Sequence, residues 1–220
     1  MMHRLTALII AVAVVWTSGC ASPPNSYYTL SAVAPVGAPT STLAPAGVPA
    51  STLAVAVGPV SIPADVDRPQ IVVSTGPNQA RVDEFNRWAG PLQDGIARAV
   101  AENLVALLGA PQVTLFPQAL STDAGYRVAI EVQNFDSTLG QSAALDAVWT
   151  LRRIKDGKTA SGRTRVSEPV QGNGYDVIAA AHSRAIARLS QEIADAVQLL
   201  ERAPIQASPA SDAASGKPGK

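Results

Sequence analysis

The chain has 220 residues, 47% of them hydrophobic, and its 17 Lys plus Arg are balanced by 17 Asp plus Glu. That length holds one domain with tails, and the absence of net charge excludes both the basic field that nucleic acid needs and an acidic field for basic partners. A single cysteine forms no disulfide within the chain, so the domain has to be held by its apolar core.

Residues 1–19 read as a signal peptide. Met1-Met2-His3-Arg4 is a short cationic start, and Leu5 to Trp16 is an apolar run too short to span a bilayer. Thr17-Ser18-Gly19 then sets small residues ahead of Cys20, the layout of a bacterial lipoprotein cleavage site. Cleavage after Gly19 would leave Cys20 as the N-terminus, ready to carry acyl chains. Thr17 stands where such sites usually have Leu. The alternative is an ordinary secretory signal in which Cys20 is incidental. Each buried methylene contributes about 0.8 kcal/mol, so one chain anchors marginally and two anchor stably. No cofactor is expected beyond those acyl chains. Ala21 and Ser22 follow Cys20; an Asp there tends to mark inner-membrane retention in Gram-negative lipoproteins, and its absence favours the outer membrane, facing the periplasm.

Ala21 to Ser26 is a tether that extends to about 20 Å at most. Tyr27-Tyr28-Thr29-Leu30 is a short strand of β-formers, and it opens a domain expected to run over residues 27–202. Residues 31–52 are Ala, Pro, Gly, Ser and Thr with a few Val and Leu, a composition with no face to bury, and the loop is expected to be disordered. Within it Pro39-Thr40-Ser41-Thr42-Leu43-Ala44 echoes Pro49-Ala50-Ser51-Thr52-Leu53-Ala54 at five of six places, as a loop lengthened by duplication would. A Pro-rich recognition segment is the other reading.

Leu53 to Ile62 and Gln70 to Ser74 are strands, joined by the turn-rich Pro63 to Pro69; Gln79 to Phe85 is a weaker strand. Pro91 opens a helix whose Leu92, Ile96, Val100, Leu104 and Leu107 share one face, with Gly109 placed to cap it. Gln112 to Phe116, Tyr126 to Phe135, Ala144 to Ile154 and Lys158 to Glu168 are further strands, the last two joined by a turn at Asp156-Gly157. A long helix from about Tyr175 to Glu201 carries an apolar stripe through Ile178, Ile186, Leu189, Ile193, Val197 and Leu200. Residues 203–220 read as a disordered tail. The expected fold is α/β: one mixed sheet packed by two amphipathic helices, its largest piece an antiparallel meander from Tyr126 to Glu168.

Catalytic signals are sparse. His182 is the only histidine outside the signal, and its helix neighbour Ser183 points about 100° away, so the two make a poor catalytic pair. A solvated or interfacial helix position is the expectation for it. Gly140-Gln141-Ser142 lacks the second glycine of a nucleophile elbow and precedes a strand. Asp65 and Asp67, beside Pro63 and Pro69, fit turn chemistry better than a carboxylate pair. No metal-ligand or phosphate-loop spacing is present. Two polar–aromatic segments stand out, Asp67 to Val72 and Asn86 to Leu92. Arg68, Arg87 and Trp88 in them are either structural or an interface, since Trp and Arg are enriched at interfaces.

These segments also carry a resemblance. Tyr27–Leu30 (YYTL), Val55–Pro63 (VAVGPVSIP), Asp67–Val72 (DRPQIV), Arg87–Leu92 (RWAGPL), Ala101–Gly109 (AENLVALLG), Gly174–His182 (GYDVIAAAH) and Leu189–Ala194 (LSQEIA) follow one another as in the PqiC-type auxiliary lipoproteins of Gram-negative bacteria. The chain resembles that family over nearly the whole domain, with Gly90 where members often have Glu and a longer loop at 31–52. The resemblance implies a three-layer α/β fold and no catalytic residues. It implies an outer-membrane lipoprotein in a system that moves lipids between membranes, whose partner is a periplasmic protein of mammalian-cell-entry domains. A homo-oligomeric ring matching the partner's symmetry is compatible with it. A stand-alone envelope scaffold with another partner and a lipid esterase are the competing functions.

Overall fold

A computed structural model describes residues 23–33, 53–109, 112–117 and 124–203. Its strands are β1 (Ser26–Tyr28), β2 (Ala54–Ser61), β3 (Gln70–Gly76), β4 (Gln79–Trp88), β5 (Gln112–Leu115), β6 (Tyr126–Thr138), β7 (Ser142–Arg153) and β8 (Thr159–Pro169); its helices are α1 (Leu92–Leu108) and α2 (Tyr175–Arg202). The expected α/β class is observed, but the strands form two mixed sheets rather than one. A three-stranded sheet has the order β1-β4-β3 and a five-stranded sheet the order β5-β2-β6-β7-β8. Local periodicity marks strands but not their partners. β1 pairs with β4, nearly sixty residues on, and so seeds a sheet separate from the meander.

The meander β6-β7-β8 is antiparallel throughout and is the largest contiguous piece, as expected. Leu145, Ala147, Trp149 and Leu151 line its inner face and are all buried. On β6 the alternation changes phase where the register shifts between Val132 and Asn134, which turns Phe135 and Ser137 inward. Gly162 lies opposite Trp149, and a Cβ there would meet the indole at 2.4 Å, so only glycine leaves room for that ring.

The two helices pack beside each other and against the large sheet, sharing one core with it. Leu92, Ile96, Val100 and Leu104 of α1 are buried, and Gly109 ends the helix in the left-handed region at φ 75°. On α2 the buried face runs from Ile178 to Val197. Asn103 and Ser190 bond across the helix pair at 3.3 Å. Ser31 N–H donates to Ser183 Oγ at 3.1 Å and Val33 N–H to Asn103 Oδ1 at 3.0 Å. The start of the predicted loop is therefore strapped across the helices, whereas residues 34–52, with the ten-residue echo, lie outside the described residues apart from Leu53 and Ala54.

Arg153 is the largest fully buried side chain among the described residues, unforeseen in the sequence. Its guanidinium grips Asp156 through Nε at 2.9 Å and Nη2 at 2.6 Å, and its Nη1 donates to the carbonyls of Leu200 and Ala203. It thus ties the β7–β8 turn to the carbonyl end of α2, where a cation is favoured. The Asp156 carboxyl is held down to about 2 by that guanidinium.

Candidate functional site

The two polar–aromatic segments meet on the small sheet. Ser26, Tyr27 and Tyr28 of β1 lie opposite Asn86, Arg87 and Trp88, while Gln70 of β3 lies opposite Arg87 on the other side. Trp88 N–H donates to the Pro69 carbonyl at 2.7 Å, and Ala89 N–H to the Tyr28 carbonyl at 2.9 Å. Segments nearly twenty residues apart are thereby strand neighbours, with Arg68 and Trp88 at the same end. The Asp65 and Asp67 segment is a turn, closed by the N–H groups of Val66 and Asp67 on the Pro63 carbonyl, both at 3.2 Å.

Before this junction β4 bulges: the register runs from Gln70 with Arg87 to Val72 with Val82, so two steps on β3 match five on β4. Asp83 fills the bulge. Its Oδ1 accepts the N–H groups of Phe85 at 3.0 Å and Asn86 at 2.9 Å, and the Asn86 amide at 2.9 Å. Its Oδ2 accepts the Tyr175 hydroxyl at 2.7 Å. Tyr28 donates to Asn86 Oδ1 at 2.8 Å, and its ring lies 6.1 Å from that of Tyr175. Partial burial works to raise the Asp83 pKa, but the bonds from Tyr175, Asn86 and the backbone outweigh it and hold the carboxyl below its ordinary value. Burial and the same carboxylate push the Tyr175 hydroxyl up, so the proton stays on the tyrosine. The start of α2 is thereby fastened to the small sheet.

Trp88 is 6% exposed. Its ring meets Phe135 edge-on at 6.2 Å and His182 at 6.5 Å. His182 is fully buried, not solvated or interfacial as its sequence context predicts. It stacks on Phe135 at 3.8 Å with 10° between the planes, and its Nε2 lies 2.8 Å from Ser137 Oγ. Desolvation lowers its pKa to about 3, so it is neutral. The signal that could have found it is spacing: His182 stands midway between Ile178 and Ile186, on the apolar stripe.

A Ser–His contact of this kind suggests a nucleophile and its base, but the surroundings oppose that chemistry. Ser137 is 2% exposed and His182 not at all, so no substrate reaches them. His182 Nδ1 has no partner among the described residues, so no acid orients the imidazole as a triad requires. Ser183 Oγ instead donates to the Ala179 carbonyl at 2.8 Å, and Ser142 begins β7 at a hairpin. Among the described residues no three His, Cys, Asp or Glu side chains gather as a metal site.

Two of the outward groups of the junction are cationic, beside the exposed Tyr27. The Arg68 side chain is exposed and has no partner among the described residues. Arg87 is 31% exposed; its Nε donates to the Glu84 carbonyl at 3.0 Å, and its Nη2 lies 3.8 Å from the Glu84 carboxylate. A cleft of about 120 Å³ opens between the end of this sheet and the start of α1, lined in part by Tyr28, Leu30, Trp88, Pro91 and Arg98, and neither Arg68 nor Arg87 lines it. Trp88 contributes its inner edge and does not project. Cys20 lies outside the described residues. No helix among the described residues is long and apolar enough to cross a membrane.

A family model described as an ABC-type transport auxiliary lipoprotein component matches residues 28–194, from β1 into the second half of α2. No curated protein matches the chain. A crystal structure of an uncharacterised protein is similar over 80% of this chain and 99% of its own, at 20% identity and a TM-score of 0.64. Protein XCC0632 from Xanthomonas campestris, of the DUF330 family, is similar over 80% of this chain and 96% of its own, at 20% identity and a TM-score of 0.59. At that identity the two structures share the fold.

Proposed function

Because the chain belongs to the ABC-type transport auxiliary lipoprotein family, we propose that it is the lipid-anchored outer-membrane subunit of a mammalian-cell-entry-type lipid transporter. In that role it holds the periplasmic part of the transporter at the membrane, as an adaptor and not an enzyme. The observation that carries this reading is the convergence of the family-like segments at one junction, with Arg68 on its exposed side. YYTL, DRPQIV and RWAGPL are adjacent strands there, and GYDVIAAAH packs beneath them. A site for chemistry would bring reactive groups to a cavity; this junction buries its histidine and presents arginines.

Arg68 is the group proposed to meet the partner, with Trp88 as the buried support that fixes the end of β4; Arg87, held by Glu84, braces that strand end. Cys20, acylated, is the proposed anchor.

The test is affinity purification of the full chain from envelopes after mild crosslinking, with the intact mass of the recovered protein. The expected result is an acylated chain that brings down a mammalian-cell-entry-domain protein. An acylated chain that repeatedly recovers other envelope proteins instead would favour a scaffold with a different partner. A chain whose Cys20 carries no acyl group would remove the anchor.

A further inference from the structure

We propose that the outer face of β1 and β4, centred on Tyr27 and Phe85, seats directly in the headgroup boundary of the bilayer; this rests on the lipid-anchor reading above. Six large hydrophobic side chains among the described residues are well exposed, and three of them, Tyr27 at 61%, Phe85 at 42% and Val82 at 36%, belong to these two strands. Tyr27 lies opposite Arg87, so these two point to the side away from the core-facing Tyr28 and Trp88, and the exposed Phe85 stands two residues before Arg87 on β4. The Asp83-filled bulge sets Phe85 out of the hairpin at the place where β1 begins.

The occupant follows from the chain that leads in. Five residues separate Cys20 from Ser26, a reach of about 20 Å at most, so acylation keeps the start of β1 close to the membrane and lets it reach the interfacial zone. Tyrosine suits that zone because its ring is apolar and its hydroxyl wet. β1 and the end of β4 run parallel, so both lead away from the tether entry towards Tyr28 and Trp88. The membrane-seated face therefore lies at the tether end of the junction, and Arg68 at the far end stays free for a periplasmic partner. Arg81, Asp83, Glu84 and Arg87 supply two charges of each sign, and Glu84 is paired with Arg87. The contact is thus apolar and interfacial, with no requirement for anionic lipid.

The experiment uses the full acylated chain in vesicles containing brominated phospholipid. Tyr27→Trp, Phe85→Trp and, as a control on the exposed strand β8, Ser161→Trp each add one indole, and the parent chain is subtracted. Circular dichroism verifies each fold. Wetting to a depth of about 5–10 Å should quench the indoles at 27 and 85 at least about threefold more than at 161. The same quenching is expected with purely zwitterionic vesicles. Quenching no greater than at Ser161→Trp, in protein whose mass shows acylation, overturns the inference and leaves the anchor intact. A spectral shift without quenching means a second copy or another protein covers the face, and also overturns it; quenching confined to anionic vesicles does the same. If the mass shows no acylation, quenching at 27 and 85 keeps this inference while the anchor fails, and its absence sinks both.

Discussion

His182 stays neutral because nothing around it repays the loss of water. It is fully buried, and among the described residues its side chain has one hydrogen-bonding neighbour, the neutral Ser137. The unfolded chain protonates it near 6.5, the folded chain only near 3. Between those values the unfolded state binds more protons, so this histidine removes stability as pH falls through 6.5, and the loss levels off below 3. At pH 4 the loss amounts to about 3 kcal/mol. Urea unfolding of the parent and of His182→Gln at pH 7.5 and pH 4 measures it. The parent should lose about 3 kcal/mol more than the variant over that interval. Equal losses would mean that the imidazole is not held neutral. At this scale the sequence was only partly legible. Asp65 and Asp67 are turn residues because prolines flank them, whereas Ser137 fell beyond the expected strand end and Arg153 looked like any strand cation. A buried Arg is recognisable only once the carbonyls of Leu200 and Ala203 are seen to need it.

Among elements, β4 is the one whose meaning changes most between sequence and structure. It read as a weak strand ending at Phe85 because Asp83, Glu84 and Asn86 interrupt its alternation. It extends to Trp88 because Asp83 satisfies the backbone groups that its bulge would otherwise strand. The helices were legible almost to the residue, since a stripe such as Ile96, Val100 and Leu104 is a local signal. Sheet membership was not, because pairing between β1 and β4 is decided by core contacts distant in sequence. This bears on Trp88. Removing an indole that is 6% exposed leaves a cavity against Phe135 and His182. Trp88→Ala should therefore cost about 3–5 kcal/mol in urea unfolding. Arg68→Ala, on the exposed turn, should change stability by less than about 0.5 kcal/mol. A Trp88→Ala protein that unfolds like the parent would place the indole on the surface and return it to the set of direct partner contacts.

For the whole molecule, the two ends of the small sheet divide the work. On the two proposals together, the tether, Tyr27 and Phe85 would face the lipid and the Arg68 end the periplasm, with the helices and the large sheet as the common core behind them. The family could be recognised from the order of short segments along the chain, and the family match bears that out over residues 28–194. What those segments have in common could not be read in a line of sequence, because it is a junction made of four separate stretches. The measurement that bears most directly on the adaptor proposal is site-specific photocrosslinking from position 68 in living cells, with the photoreactive residue replacing Arg68 in the full chain. Irradiation is expected to give one dominant adduct whose mass and peptides identify a mammalian-cell-entry-domain protein. The same probe at Ser161, on the edge strand of the other sheet, should give little of it. An anchored, folded protein that yields no such adduct from position 68, or yields it equally from Ser161, would contradict the assignment of this junction as the docking surface.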